Sequence, residues 1–457
     1  MAKVLGFIPL DDRPVSLQQS VMLAQMAGYE VMLPPIQLLG HRMISGNPDA
    51  ILKWFFENVS SVDGWVISLD MLAYGGLVAS REITEDLALI LLRLQRLALI
   101  KIAYPTIPLY AFQSIRRLST TVKSSDDLEK WEISHRTGVL SDLRTRNHKV
   151  NLYSLEQLSK KIFDFVLLLQ EDANLDGPHQ EEHKILQEYI KEKGISQNTC
   201  ITTGTDEGSA VLMSRLMCDL SKIKPKVYVL FSSENGSRRV ALYEDRCICD
   251  TVRGQIRAIG CDTCLDLESA DFVLAVWCPD HPGIDLMFSK PFMPNEQDIS
   301  VFLDKINILI EEKYPLVIAD LAYSNGSDKD FCDKLSTHIE ISGLAGYAAW
   351  NTAANSVGHA LAQGVLSLNN KRFLALRFLE DWGYQSEIRP VLNEVLKTNG
   401  YDIWNLTPEQ VNSAEDFLNK AMREWQRKKL GNQFGAELSN IRFNLPWQRT
   451  FEVEVTI

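Results

Sequence analysis

Short apolar runs alternate with longer amphipathic stretches along most of this chain. The runs at 4–8, 30–33, 64–69, 107–112, 163–169, 199–203, 226–231, 272–277 and 315–319 are rich in Val, Ile, Leu and Phe and too short for helices. Between them, helical periodicity marks 17–27, 48–58 and 85–103, among others. Strands alternating with helices predict an α/β fold with parallel sheets, here Rossmann- or flavodoxin-like lobes under a helical C-terminal cap. The polar helical stretch 124–149 reads as an insertion over a sheet edge. The basic Lys222-Ile-Lys-Pro-Lys226 reads as a hinge. An N-terminal lobe over 1–224, a middle lobe over 225–340 and a mostly helical segment over 341–457, packed back on the first lobe, are expected. No internal sequence repeat is visible.

The polar residues that follow the strands carry the chemistry. After the first strand come Asp11, Asp12 and Arg13; after the third, Asp70, Tyr74 and then Arg81; after the fourth, Arg116. Later strands deliver Glu171 and Asp172, then Asp206 and Glu207, then Asp320 and Asn325. The carboxyl edge of a parallel sheet is where ligands bind. A single acid there is also what caps the next helix, for about 1 kcal/mol. Doubled acids exceed that need, and like charges brought together push pKa values apart, which makes a general acid and a general base from one residue type. Asp12 and Asp206 are the expected acid and base, with Glu171 as the substitute for either. Arg13, Arg81 and Arg116 would offset the acids or hold an anionic group.

A second constellation spans Trp350 to Gln363. Asn351, Asn355 and His359 fall four apart and predict one polar helical face among small residues, a second wall of the same cleft. Trp350 offers a flat face to a sugar ring, although core packing is the commoner use of Trp.

Composition removes several classes. A net charge of −12 argues against a nucleic-acid surface. The most apolar stretch, 87–104, is interrupted by Arg93, Arg96 and Lys101, so no membrane span is expected. The first residues hold no signal-peptide core, which points to the cytoplasm and to free thiols. Cys247, Cys249, Cys261 and Cys264 have zinc-like spacing but lack knuckle glycines, and buried thiols are expected. No GxGxxG or P-loop follows a strand, so neither a dinucleotide nor another cofactor is expected.

With Pro9-Leu-Asp-Asp-Arg-Pro14, Leu72-Ala-Tyr-Gly-Gly-Leu-Val-Ala-Ser-Arg81, Gln170-Glu-Asp-Ala173, Thr205-Asp-Glu-Gly208, Ile318-Ala-Asp-Leu-Ala-Tyr323 and Ala349-Trp-Asn-Thr-Ala-Ala-Asn-Ser356, the chain resembles the bacterial proteins grouped as domain of unknown function 4127. The resemblance runs from Phe7 to about Gln385. It implies a bacterial member of that group and carries no reaction with it. One departure is Glu171 where paired aspartates are expected.

From the residues themselves, a hydrolase with paired carboxylates acting on a small polar substrate, a sugar or sugar acid, is the expected function. The alternatives are a hydrolase or lyase with Mg²⁺ or Mn²⁺ on Asp11, Asp12, Asp70 and Asp206, and a non-catalytic two-lobe binder.

Overall fold

Trp65 shows how the first sheet is assembled. Its strand, Gly64–Ser68, is buried at every position, and the indole lies over the neighbouring strand at Gly6. A Cβ on Gly6 would fall 2.3 Å from the ring, so only glycine admits it. The helix Pro48–Asn58 covers the other side. Asn47 caps it by accepting from Ala50 N (3.0 Å), proline opens it, and Ile51, Leu52 and Phe55 form its buried face. The Phe55 and Trp65 rings meet edge to face at 4.4 Å. Each such large apolar side chain contributes roughly 1.5–3 kcal/mol on burial.

The computed structural model describes residues 3–137, 141–293, 295–366 and 371–457. It divides into two units. The first holds Met1–Thr121, Glu129–Ile223 and Arg257–Ile259; the second holds Val122–Leu128, Lys224–Ile256 and Gly260–Ile457. The C-terminal helices therefore group with the second sheet.

In the first unit, β1 (Lys3–Ile8), β2 (Tyr29–Met32), β3 (Gly64–Ser68), β4 (Leu109–Ile115), β5 (Phe165–Gln170) and β6 (Thr199–Thr203) form one parallel sheet in the order β2-β1-β3-β4-β5-β6. In the second, β7 (Lys226–Phe231), β8 (Asp262–Thr263), β9 (Phe272–Trp277), β10 (Leu316–Asp320) and β11 (Gly346–Ala348) form another, in the order β8-β7-β9-β10-β11. Both follow the flavodoxin-like rule: the second strand lies outside the first, and the third returns to its other side. β3, β4, β5 and β9 are buried end to end, which is why they read as unbroken apolar runs. A short antiparallel pair, β12 (Arg442–Asn444) and β13 (Glu454–Thr456), lies near the C-terminus.

Two local expectations change, and one segment takes a form that was not expected either way. The helix over 85–103 divides into Leu87–Gln95 and Leu97–Ala103, because Arg96 N turns back to Arg93 O in a tighter step. The stretch 124–149 contains the helix Leu128–Thr137 and the start of a longer one, Asp142–Ser159. Phe378–Ile388 winds as a π-helix, a rare form. Its buried Asp381 accepts from Ala349 N (2.8 Å) and from Arg377, which ties this segment to the end of β11.

Candidate functional site

The chain order of the first sheet reverses between β1 and β3, and Ile8 pairs with Ile67 across that switch. The loops that follow therefore leave the same edge side by side. Asp11 folds back in a tight turn, and its carboxylate accepts from Arg13 N (3.1 Å) and Arg13 Nε (3.0 Å). The far end of the Arg13 guanidinium reaches Asp206, after β6, with Nη2 to Oδ1 at 2.6 Å and Nη1 to Oδ2 at 3.1 Å. All three residues are buried. Burial raises the Asp11 pKa, Arg13 opposes this, and the nearby Asp206 charge raises it further.

Asp12 faces a different partner. Its N–H donates to Gly40 O (3.2 Å), and its Oδ2 lies 2.7 Å from His41 Nδ1. His41 sits in a tight turn, exchanging backbone bonds with Ile44 at 2.9 Å, and its side chain is half exposed. That turn approaches the end of the helix Leu69–Tyr74 closely: Gly46 N donates to Gly75 O (2.8 Å), and a Cβ on Gly40 would fall 2.4 Å from the same oxygen.

After β3, Asp70 is buried and accepts from Ser114 N (2.7 Å) and Ser114 Oγ (2.9 Å) on β4. Burial pushes its pKa from 3.8 to about 7, against the two Ser114 bonds and the Arg81 charge. One turn on, Tyr74 Oη is buried without a hydrogen-bond partner among the described residues. Arg81 pairs with Glu171, its Nε at 3.3 Å from Oε2. Glu171 also accepts from Arg117 N (3.3 Å), while Asp172, at φ 27°, takes Arg117 Nη1 at 2.7 Å. Arg116 donates to Ser141 Oγ (3.0 Å) and Arg81 O (3.3 Å), but its buried Nε has no partner among the described residues. Burial and the charges of Arg144 and Arg146 lower the Arg116 pKa to about 10. Glu207 bonds back to Thr205 N (2.8 Å) at the start of the helix Gly208–Ser221.

The first unit thus gathers Asp11, Asp12, Arg13, Asp70, Tyr74, Arg81, Arg116, Glu171, Asp172, Asp206 and Glu207 at the carboxyl ends of its strands. Sequence reasoning missed His41 and Ser114, and saw Arg117 beside Arg116 without giving it a place in the site. The glycines flanking His41-Arg-Met-Ile-Ser45 were the one signal for a loop pressed against other backbone.

The remaining residues lie in the second unit. Asp320, the last residue of β10, is fully buried and accepts from Ala322 N (3.1 Å) and Asp328 N (2.7 Å). Its pKa is raised to about 8, by burial first and then by Asp328. It fastens its own loop, in which Asn325 (φ 63°) donates its N–H to Asn351 O at 2.9 Å. The expected three-residue face on one helix needs correction. The helix runs over Ala353–Val365, with Thr352 extended at its N-cap and Asn351 before it at φ 66°, so only Asn355 and His359 are helical. His359 is buried with both ring nitrogens unpartnered among the described residues, and burial holds its pKa well below the usual range. Trp350 is buried against Phe451, ring centres 5.9 Å apart.

For metals, the acids of the first unit are engaged differently from a cation cage: Asp11 and Asp206 hold Arg13, and Asp70 holds Ser114. Among the described residues, Cys247, Cys249 and Asp250 bring three ligand-type atoms within 4.8 Å of one another, and Cys261 and Cys264 do not join them. Burial and bonds to Asp250 and Cys249 raise the Cys247 thiol to about 11. No helix among the described residues is long and apolar enough to cross a membrane.

No curated protein matches the chain. A family model does, over residues 5–142 and 138–456, which between them span both sheets. The chain belongs to the family described as protein of unknown function DUF4127.

Proposed function

We propose that this protein is a hydrolase acting on a small polar, carbohydrate-like substrate, with Asp12 and His41 as its proton-transfer pair. The observation that carries the reading is the 2.7 Å contact between Asp12 Oδ2 and His41 Nδ1 beside the switch between β1 and β3. An ionised carboxylate only accepts, so it places the proton on Nδ1 and leaves Nε2 as the basic nitrogen of the half-exposed ring. His41 then takes a proton from the attacking water and returns it to the leaving group.

Asp206 and Glu171, each held by an arginine, keep negative charge in place and are suited to stabilise a developing cation. In this reading their role shifts from proton transfer to charge stabilisation, and Asp12 acts through His41. Tyr74 Oη and Arg116 Nε, buried donors without partners among the described residues, favour a ligand rich in hydroxyl or carboxylate oxygens. The net charge of −12 speaks against nucleic acid, and eight free cysteines support a reducing, cytoplasmic setting.

The test is turnover by the full chain over a panel of aryl glycosides and glycosides of sugar acids, with and without EDTA. Hydrolysis unaffected by EDTA and reduced at least about 100-fold by Asp12→Asn supports the proposal. Hydrolysis abolished by EDTA and restored by Mg²⁺ or Mn²⁺ overturns it in favour of metal-assisted chemistry.

A further inference from the structure

A cavity of about 380 Å³ lies in the second unit between Leu286–Lys290 and the helix Arg389–Thr398. It shares no residue with the proposed hydrolytic site. Arg389 lines it and is 0 % exposed. One arm of its guanidinium, Nη2, donates to Asn325 O at 2.9 Å, while the buried Nη1 has no hydrogen-bond partner among the described residues. A guanidinium stays charged in proteins, and a buried charge is costly unless it is paired and fully hydrogen-bonded.

The buried Asp285 acts on Arg389 only through its charge. Its carboxylate is engaged elsewhere, accepting from Tyr243 Oη (2.6 Å) and Met287 N (2.7 Å), and among the described residues it forms no direct ion pair with Arg389. One helical turn beyond Arg389, the buried Asn393 also lines the cavity, its Oδ1 without a hydrogen-bond partner among the described residues. Lys290 and Lys397 line the rim against one acid, Glu394. Apolar surface from Leu286, Met287 and Phe288 completes the wall.

We infer that this cavity binds a small hydroxylated anion, its carboxylate or phosphate on Arg389 and its hydroxyl donating to Asn393 Oδ1. Three cationic side chains against one acid set the sign of the ligand. The forked guanidinium suits a planar carboxylate or a phosphate. The unpartnered acceptor on Asn393 asks for a donor, which a hydroxyl supplies and a simple anion does not. The volume is at the small end for ligand pockets and fits a metabolite rather than a polymer.

Calorimetric titration of the full chain with malate and with inorganic phosphate tests the inference, with glycerol as the neutral control. Saturable binding of at least one anion and none of glycerol is expected. A preference for malate assigns a carboxylate ligand, and a preference for phosphate assigns a phosphate monoester. Arg389→Lys keeps the charge but loses the fork, and Lys397→Glu changes only an exposed rim residue. Each should weaken binding at least tenfold, whereas Lys420→Glu, the same charge change outside the cavity lining, should leave it unaltered. Failure of both anions to saturate the parent protein would overturn the inference. So would equal affinity in the parent, Arg389→Lys and Lys397→Glu.

Discussion

Arg13 and Asp206 stand 193 positions apart in the chain and meet as a two-pronged ion pair at 2.6 and 3.1 Å, with Asp11 closing on the same guanidinium. This contact joins the first and last strands of the sheet through their carboxyl-end loops. It also sets the charge balance there, one buried cation between two buried acids.

Removing the cation should therefore matter more than removing one acid. Arg13→Met strands two buried carboxylates and is expected to lower stability by about 3–5 kcal/mol, the scale for breaking a buried pair. Asp206→Asn leaves Arg13 with Asp11 and should have the smaller effect. Urea unfolding checks the order: the midpoint should fall further for Arg13→Met, with the slope unchanged in both.

Gly40 governs His41 without touching it through a side chain. Because a Cβ there would meet Gly75 O at 2.4 Å, Gly40→Ala must push the turn off the helix end. Turnover should drop with the fold retained, and the His41 ring resonances should shift in NMR spectra. Unchanged activity and unchanged His41 signals would show that the loop tolerates the displacement.

Asp70 supplies a pH signature. Its folded-state pKa is raised from 3.8 to about 7, so the native state holds a proton that the unfolded chain releases. Stability from this group is fully present below about 4 and is lost as pH rises towards 7. Asp70→Asn retains an acceptor for Ser114 N and offers its NH₂ to Ser114 Oγ. It should flatten the fall in melting temperature across that window; an unchanged slope would place the proton elsewhere.

How far the chain could be read follows from where each signal resides. The central strands were legible because both of their faces are covered, leaving continuous apolar runs such as Phe165–Gln170. β8 and β11, two and three residues long, are held by neighbouring strands rather than by their own composition. The shared strand order of the two sheets leaves no sequence repeat, since crossovers determine it and not residue identity. Asp11, Asp12 and Asp206 stood out as doubled acids and Arg13 as a cation to offset them, yet which groups would pair did not. His41 follows an edge strand with no doubled acid to mark it, and Arg13 finds Asp206 only in three dimensions. Asn351 was misplaced because periodicity carries through Thr352, whereas the backbone there is still extended.

The Asp12–His41 pair is the centre of this account, and a kinetic double-mutant cycle tests it most directly. On a glycoside that the parent protein hydrolyses, Asp12→Asn and His41→Gln should each lower kcat by at least about 100-fold with little change in KM. Because the two residues act as one unit, the double variant should be no slower than the slower single variant. Full activity in His41→Gln, or losses that multiply in the double variant, would contradict the assignment.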